Sequence, residues 1–367
     1  MRRNRATAVL LPMLAAIIGL VALPAVSVAA TGDVTVRRIF GADRFETSAA
    51  IARVTFGTST TPVGKAVIAN GSDFADAAVG ANLLFGYYGP GPVLLTRAHD
   101  VPQPIADVIK QLPVQQFFIV GATDVVDPTV ESRLQTLGEA NGTWGGIYDR
   151  LSGSDRYVTG AAVAKAAFDG EANWPGLVDG LRTAFLVSGV GGADALAAAP
   201  LTYAARIPLL LTQPDVLSVP TRNALLTITG GNRPIKQVIV IGGPGAVSPA
   251  VLSQVKALGI SVRRIEGINR QATAVAVAEF AIQTLGWNPA HINLARGDDF
   301  ADAISTAPHA GQELAPLLFT ASPDQLGTAT ADFLRAHAGI TKSIDVFGGT
   351  GAVSDAVAGA ARIAAGG

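Results

Sequence analysis

The chain has 367 residues, of which 49% are hydrophobic and 15% are charged, and its formal net charge is −1. High hydrophobicity with low charge excludes an intrinsically disordered chain, and the near-neutral balance gives no support to nucleic-acid binding. The sequence contains no cysteine, which excludes disulfides and cysteine-ligated zinc.

The first thirty residues have the pattern of a secretory signal peptide. Arginines near the N-terminus precede an apolar run over 6–26, and small residues follow at 27–30. The pattern predicts cleavage after Ala29 or Ala30, so we expect a secreted protein of a bacterial envelope with no membrane span in its mature form. An uncleaved membrane anchor is the alternative, because the apolar run is nearly long enough to span a bilayer.

A seven-residue stretch, the opening motif, then occurs three times. It reads Arg-[Ile/Leu]-x-Gly-x-[Asp/Asn]-Arg and begins at residues 38, 150 and 264. Because a period of this size corresponds to a domain, the sequence predicts one module used three times, over residues 31–146, 147–261 and 262–367. No linker rich in proline or serine separates the repeats, so we expect them to pack on one another.

Strands and helices alternate within the first repeat. Strands are predicted at 36–40, 66–69, 92–96 and 117–120, and helices at 44–56, 74–85, 104–112 and 127–137. Asp43 and Glu46 have the spacing of a capping box at the start of the first helix. Asp127 followed by Pro128 is a strong start signal for the last one.

The other two repeats have matching strands. These are predicted at 184–187, 208–212 and 238–241 in the second repeat and at 292–295, 316–320 and 344–347 in the third. Each strand is an unbroken apolar run, as a sheet covered on both faces requires. Their alternation with helices predicts an α/β fold of three tandem Rossmann-like or flavodoxin-like parallel-sheet modules.

The opening motif supplies two arginines per repeat near the carboxyl ends of strands, where parallel sheets bind ligands. The outer arginines are Arg38, Arg150 and Arg264, and the inner arginines are Arg44, Arg156 and Arg270. Each inner arginine lies at a helix start, where a cation opposes the helix dipole. The compensating anion is either an acid of the same or a neighbouring module or an external ligand.

An acidic turn follows the second strand of each repeat. The three copies read Asp73-Phe74-Ala75-Asp76, Gly191-Gly192-Ala193-Asp194 and Asp299-Phe300-Ala301-Asp302. Only the last acid occurs in all three, so we interpret Asp76, Asp194 and Asp302 as structural groups in a first helical turn and as ion-pair partners of the inner arginines. A hydrolase that uses paired carboxylates is the alternative, although Gly191 removes the pair from the second repeat.

A glycine turn follows the fourth strand. It reads Gly242-Gly243-Pro244-Gly245 in the second repeat and Gly348-Gly349-Thr350-Gly351 in the third, but Gly121-Ala122-Thr123-Asp124 in the first. Such a turn can cradle phosphate, yet neither a P-loop nor a complete dinucleotide fingerprint is present. We therefore expect no cofactor and predict that these turns lead to helix caps at Asp127, Ser248 and Ser354.

The sequence lacks the residue patterns that hydrolases and metal sites usually have. Its histidines, which are His99, His291, His309 and His337, leave the second repeat without one. No zinc-protease motif and no serine-nucleophile elbow occurs. The sequence therefore predicts neither a metal site nor catalytic residues.

Four features, in the same order in each repeat, resemble the cell wall binding repeat type 2 family of bacterial surface proteins. They are the opening motif, the Phe-Ala-Asp-Ala turn, a Pro-[Val/Leu]-Leu-[Leu/Phe]-Thr strand and a Gly-Gly-x-Gly-Ala-Val-Ser turn. The resemblance implies three Rossmann-like modules with pseudo-threefold symmetry that hold an anionic cell wall polymer, and the six arginines match its basic positions. The second repeat departs from the acidic turn and the first from the glycine turn, so the three sites need not be equivalent.

The preferred function is a secreted, non-catalytic protein that binds anionic cell wall polymer at the cell surface through three linked modules. One exposed ion pair contributes about 0–1 kcal/mol, so retention requires several sites on one polymer. One alternative is a wall hydrolase with Asp76, Asp194 or Asp302 as its catalytic acid. Another is an adhesin or structural protein that binds a surface-protein partner.

Overall fold

A computed structural model of the chain describes residues 34–57, 63–84, 89–140, 146–168, 176–229 and 233–367. The predicted signal peptide, residues 1–30, lies outside the described residues. No helix within those ranges is both long enough and apolar enough to cross a membrane.

The strands are short and almost all parallel. In chain order they are β1 (Thr35–Ile39), β2 (Lys65–Asn70), β3 (Val93–Thr96), β4 (Gln116–Val120), β5 (Gly146–Leu151), β6 (Leu177–Val178), β7 (Leu181–Ser188), β8 (Leu209–Thr212), β9 (Gln237–Ile241), β10 (Ser261–Ile265), β11 (His291–Arg296), β12 (Leu317–Thr320) and β13 (Ser343–Phe347). The exception is the β6–β7 hairpin, which is antiparallel and which the sequence did not predict.

Helices follow the strands along the chain. They are α1 (Arg44–Phe56), α2 (Phe74–Gly80), α3 (Gln103–Gln111), α4 (Pro128–Ala140), α5 (Arg156–Phe168), α6 (Ala193–Ala205), α7 (Val219–Thr227), α8 (Pro249–Lys256), α9 (Arg270–Leu285), α10 (Ala307–Gln312), α11 (Thr328–Ala336) and α12 (Asp355–Ala364). A short 3-10 turn, Ala81–Leu83, continues from α2.

The strands form three sheets, each of which crosses a boundary between sequence repeats. The first sheet has the order β3-β2-β4-β5, the second has β8-β7-β9-β10, and the third has β12-β11-β13-β1. Every opening motif thus starts on a strand that completes the sheet of the preceding repeat. For the first motif that sheet is the third one, because β1 pairs with β13 from Thr35 opposite Ser343 to Ile39 opposite Phe347. Below, a module means one sheet together with its four helices: α1–α4, α5–α8 or α9–α12.

Alternating residues of the strands face two different cores. In β2, Val67 and Ala69 belong to a cluster that extends through all three modules, whereas Ala66 and Ile68 face an outer cluster of the first module. All six residues of β2 are buried. Helices therefore cover both faces of the sheet, as the unbroken apolar strands predicted.

The boundary between two modules, called a seam from here on, is formed by the same pair of helices at all three places. The second helix of each module packs against the first helix of the next, which pairs α2 with α5, α6 with α9, and α10 with α1. Buried Asn82 also crosses the first seam, because its side chain donates to the carbonyl of Leu209 and accepts from the same residue's amide. The predicted α/β fold of three parallel-sheet modules with pseudo-threefold symmetry is confirmed.

Two helix predictions are wrong in their extent. The first repeat's second helix ends at Gly80 rather than continuing to residue 85. In the third repeat the acidic turn does not start a helix, because residues 301–305 form turns and α10 begins only at Ala307. The Thr306 hydroxyl donates to the Ala303 carbonyl at 2.8 Å, and so competes for the acceptor that a continuing helix would use.

Candidate ligand-binding grooves between the modules

The opening motif crosses the seam between two modules at the carboxyl edge of their sheets. Its strand ends one sheet, and its aspartate or asparagine starts the first helix of the next module. Asp43 accepts from the amides of Phe45 and Glu46, as predicted. Asp155 accepts from Tyr157 and Val158, and Asn269 accepts from Ala272. The loop between strand and helix is therefore fixed locally by its own sequence.

The motif's glycine and the threonine six residues later fix the same loop. The glycine amide donates to the threonine hydroxyl at 3.0–3.1 Å in each repeat; the pairs are Gly41 with Thr47, Gly153 with Thr159, and Gly267 with Thr273. A β-carbon at any of the three glycines would collide with residues of the following helix. The conserved form of the loop thus depends on glycine at this position.

The outer arginines are half-buried and bind groups of the fold itself. Arg150 donates to the carbonyls of Gly121 and Val126 at 3.0 and 2.9 Å and forms an ion pair with Glu131 at 2.7 Å. Arg38 donates to Gly348 and Asp355, and Arg264 donates to Gly242 and Val247. Their side chains are 17%, 16% and 13% exposed for Arg38, Arg150 and Arg264. Each therefore holds the glycine turn after the fourth strand against the strand beside it.

The inner arginines lie at the mouths of the seams. Each donates to the carbonyl of the glycine after the second strand of its own module; the pairs are Arg44 with Gly71, Arg156 with Gly189, and Arg270 with Gly297, at 2.5, 2.7 and 2.7 Å. Arg156 also reaches across the seam to Asp73 of the first module at 2.7 Å. Arg156 therefore contacts the preceding module directly, whereas the outer arginines bind only groups of the module whose sheet their strand completes.

The invariant acids lie under the glycine turns, each facing the inner arginine of the next module. Burial raises the pKa of Asp76 to about 6, Asp73 adds to the rise, and Arg156 opposes it. Burial also raises the pKa of Asp194 to about 6, against Arg270. The pKa of Asp302 is raised by burial as well, and a hydrogen bond from Thr47 opposes that rise.

The structure does not bring these acids into direct ion pairs with the inner arginines. Across the described ranges, no nitrogen of an inner arginine lies within 4.0 Å of a carboxylate oxygen of Asp76, Asp194 or Asp302. Each carboxylate instead lies against a glycine with positive φ, namely Gly121, Gly242 or Gly348. A side chain at those glycines would displace the acid, which explains why the turn keeps its first glycine even in the first repeat.

Two grooves are lined by an inner arginine, an invariant acid and residues of the glycine turn. The groove between the first and second modules encloses about 330 Å³ and is lined by Asp76, Asp155, Arg156 and Thr159 among others. The matching groove between the third and first modules encloses about 380 Å³, and its lining includes Arg44, Asp302 and the glycine turn. Both grooves combine a guanidinium, exposed backbone and a half-buried carboxyl, and the guanidinium and backbone amides are groups able to hold a phosphate or carboxylate.

Two phenylalanines meet near the pseudo-threefold axis. The rings of Phe74 and Phe300 pack edge to face with centroids 6.1 Å apart. Gly192 occupies the third equivalent position, and a β-carbon there would lie 2.9 Å from the Phe74 ring and 3.1 Å from that of Phe300. The second repeat therefore has glycine where the other two have phenylalanine because the two rings leave no room for a third side chain at this position.

One buried cluster was not found by sequence reasoning. His309 is 1% exposed, and its ring nitrogens lie 2.9 Å from Asp345 and 2.8 Å from Thr55 of the first module. Asp345 also accepts from Arg37 of β1 at 2.8 Å. The cluster links the third sheet to helix α1 through Thr55 and to strand β1 through Arg37, and only the non-local pairing of β1 with β13 would have revealed it.

In the part of the chain that the structure describes, no group of three or more His, Asp or Glu side chains is placed to hold a metal ion.

Comparisons with known proteins agree with this architecture. The model of the family described as Cell wall binding domain 2 (CWB2) matches residues 38–131, 150–252 and 264–358. Two solved structures from Clostridium difficile share the fold: Cwp6, with a TM-score of 0.72 and 20% identity over 89% of this chain and 48% of that one, and Cwp8, with 0.71 and 21% over 91% and 52%.

Two curated relatives come from Bacillus subtilis (strain 168). The N-acetylmuramoyl-L-alanine amidase LytC is 36% identical over 208 residues, which is 57% of this chain and 37% of the relative. The amidase enhancer is 26% identical over 266 residues, which is 72% of this chain and 32% of the relative. The chain thus spans about a third of the length of these relatives.

Proposed function

This chain belongs to the Cell wall binding domain 2 family, and from that premise we propose that it is a non-catalytic protein that holds an anionic cell wall polymer in the grooves between its modules. It is a secreted, cell-wall-associated protein. The activity of the amidase relative is not part of the proposal, because the chain covers 37% of that protein.

The repetition of one cation at each seam carries the proposal. Arg44, Arg156 and Arg270 occupy the same place in three modules, and each uses one donor on a glycine carbonyl. A guanidinium has five N–H donors in a planar fork, so further donors are available for a phosphate or carboxylate. Three sites on one compact unit can engage one polymer, so weak single contacts add up to retention.

The outer arginines and the buried acids have supporting roles in this proposal. Because Arg38, Arg150 and Arg264 are occupied by carbonyls and acids, we assign them to positioning the glycine turn and restrict polymer contact to the inner arginines. Asp76, Asp194 and Asp302 shape the groove floor beneath that turn.

Co-sedimentation with purified cell walls tests the proposal. Native walls should retain the mature protein, and walls stripped of their secondary polymers should not. Replacing all three inner arginines by glutamine should abolish retention, and retention should fall steeply as salt rises. The matched control replaces exposed Arg133, Arg222 and Arg335, one in each module, which removes the same charge away from the seams. Equal loss in both triple variants, or equal binding to both kinds of wall, contradicts the proposal.

A hydrolase is the second candidate, because a carboxyl whose pKa is raised to about 6 is typical of a catalytic acid. Release of soluble fragments from walls, lost in Asp76→Asn with folding intact, would support a hydrolase over binding alone.

The same salt series distinguishes a polymer-binding protein from a protein-binding adhesin. Capture of a protein partner through apolar contacts would persist at high ionic strength, whereas polymer binding would not.

A further inference from the structure

A cavity of about 350 Å³ opens at the amino edge of the third sheet. It is lined by Thr35, His291 and Ser343, which are the first residues of the parallel strands β1, β11 and β13. The grooves lie at the other ends of the strands, beside the glycine turns. The cavity is therefore separate from the proposed polymer sites.

Polar residues line this cavity at positions where the other two modules have apolar core. Asn293 of β11 lies opposite Asp345 of β13. The matching pairs in the other sheets are apolar and at most 2% exposed; they are Val67 opposite Phe118 and Phe185 opposite Ile239. The third module thus has two polar side chains where its sister modules pack hydrophobic ones.

The residue that packs over this pair differs in the same way. His309 lines the cavity and stands seven residues after the invariant acid Asp302. The residues at the same distance after the other invariant acids are Leu83 and Leu201, which belong to the shared core. Burial of polar groups in place of apolar ones costs free energy, so the seam itself would be served at least as well by the apolar set.

Part of the polar set is satisfied within the fold. Asp345 accepts from Arg37 Nε at 2.8 Å and lies 2.9 Å from His309 Nε2. Asn293 donates its side-chain amide to the carbonyl of Ala315 at 3.0 Å. These bonds hold the lining side chains in defined positions before any ligand arrives.

Three groups that line the cavity have no partner among the described residues. Arg37 binds Asp345 through Nε and Nη2, so its Nη1 donors are unused. The side-chain oxygen of Asn293 accepts no hydrogen bond from the described residues, although Asn293 is only 1% exposed. The Glu313 carboxylate has no cation within 4.0 Å in the described ranges. The unused set is one cationic donor, one neutral acceptor and one anion.

The charges of Arg37 and Glu313 act on each other without forming an ion pair. The pKa of Arg37 is raised chiefly by its hydrogen bond to Asp345, and the charge of Glu313 adds to that rise. A cation and an anion that are held apart complement a ligand that carries both charges. An anionic ligand would be repelled by Glu313, and a cationic one would leave the Nη1 donors of Arg37 unused.

We propose that this cavity is a second binding site, which takes a small zwitterion, namely an amino acid or a dipeptide. The ligand's carboxylate accepts from Arg37, and its ammonium group donates to Glu313 and to the side-chain oxygen of Asn293. A volume of about 350 Å³ is at the small end of ligand pockets, which suits a molecule of this size. The inference does not rest on the polymer-binding proposal, because the cavity and the grooves share no lining residue.

Matched ligands test whether both charges are recognised. Binding of glycine and diglycine to the mature protein is measured by ligand-observed NMR. N-acetylglycine, which lacks the ammonium group, and glycinamide, which lacks the carboxylate, are the matched probes. At least one zwitterion should bind, and each single-charge probe should bind about tenfold more weakly, which is the effect of losing one charged hydrogen bond.

Variants locate the binding in this cavity. Glu313→Gln should weaken zwitterion binding about tenfold, whereas Asp324→Asn, which removes an exposed acid elsewhere in the third module, should not change it. Asn293→Val installs the residue that the first module has at this position and should abolish binding. Thermal unfolding checks that each variant is folded, and exposed Glu313 provides a test that does not disturb the core.

The outcomes are separate from those of the wall-binding experiment. Absence of binding by both zwitterions, equal binding of a single-charge probe, or equal effects of Glu313→Gln and Asp324→Asn would overturn the inference. The variant with glutamine at all three inner arginines should still bind the zwitterion, and loss of binding there would contradict an independent site. Failure of native walls to retain the protein would remove the proposed function and leave this site standing.

Discussion

At the residue scale, the invariant acids are a source of instability that the fold tolerates. Asp76 and Asp194 are half-buried beneath the glycine turns, and this burial raises the pKa of each from 3.8 to about 6. An acid whose pKa is higher in the folded state binds its proton more tightly there. Stability is therefore full below the unfolded value and declines as pH rises from about 4 to about 6.

Asp76→Asn should therefore stabilise the protein above pH 6. The pKa difference corresponds to about 3 kcal/mol at most, and we expect an increase in the free energy of unfolding of about 1–3 kcal/mol at pH 7.5. The increase should vanish near pH 3.5, where both forms of the site are neutral. Urea unfolding at pH 3.5, 5 and 7.5 measures it. A gain that is the same at all three values would show that ionisation of Asp76 is not its cause.

The six arginines of the opening motif were identifiable from sequence, but their separate contacts were not. Outer and inner arginines recur with the same period, so the pattern gives them equal weight. What separates them is the glycine turn, whose carbonyls occupy Arg150 and leave Arg156 at the seam. That turn follows β4, the strand that pairs with the strand of Arg150, so the distinction depends on strand pairing and not on local sequence.

At the element scale, local signals were sufficient for most helices and strands. The first helix was predicted at 44–56 and is observed at Arg44–Phe56, because a capping aspartate and an apolar face define it locally. Cap predictions were less uniform: Asp127 and Ser354 accept from backbone amides, but Ser248 makes no such bond. The offset of sheets against repeats could not be predicted, since it depends on which strand β1 joins.

Removing β1 should destabilise the third sheet specifically. A chain that begins at residue 41 lacks the strand beside β13 and also lacks Arg37, a partner of half-buried Asp345. Relative to a chain that begins at residue 34, it should exchange the amide hydrogens of β13 and β11 faster, with the first two sheets less affected. Hydrogen exchange with mass spectrometry measures this difference. Unchanged protection of Ser343–Phe347 would contradict the assigned pairing.

At the scale of the whole molecule, the three modules form a closed ring. The sequence predicted the triplication and, through the family resemblance, the pseudo-threefold symmetry. The ring closes between chain segments distant in sequence, because β1 lies beside β13 and a β-carbon on Gly367 would lie 2.9 Å from that of Val34. The opening motif therefore crosses the third seam as it crosses the other two, and the chain ends meet inside the third module, between α12 and β1.

A circular permutant should therefore fold. Joining residue 367 to residue 34 through a short linker and opening the chain between α4 and β5 moves the break from the third module to the matching place in the first. Since the two places are equivalent in the fold, the free energy of unfolding should change by about 1 kcal/mol or less. Urea unfolding compares the permutant with the parent. A permutant opened inside β9 is the control, and it should not fold.

The pairing of β1 with β13 has a consequence for biogenesis. Strand β1 is synthesised before β13, but its pairing partner is β13 at Ser343–Phe347, so β1 cannot pair until β13 has been made. A polypeptide truncated before that point leaves β1 with unsatisfied backbone groups, and such an edge invites aggregation and proteolysis. Ring closure thereby makes the protection of β1 depend on synthesis of the third module, so we expect chains truncated before Ser343 to be more sensitive to protease than the full chain.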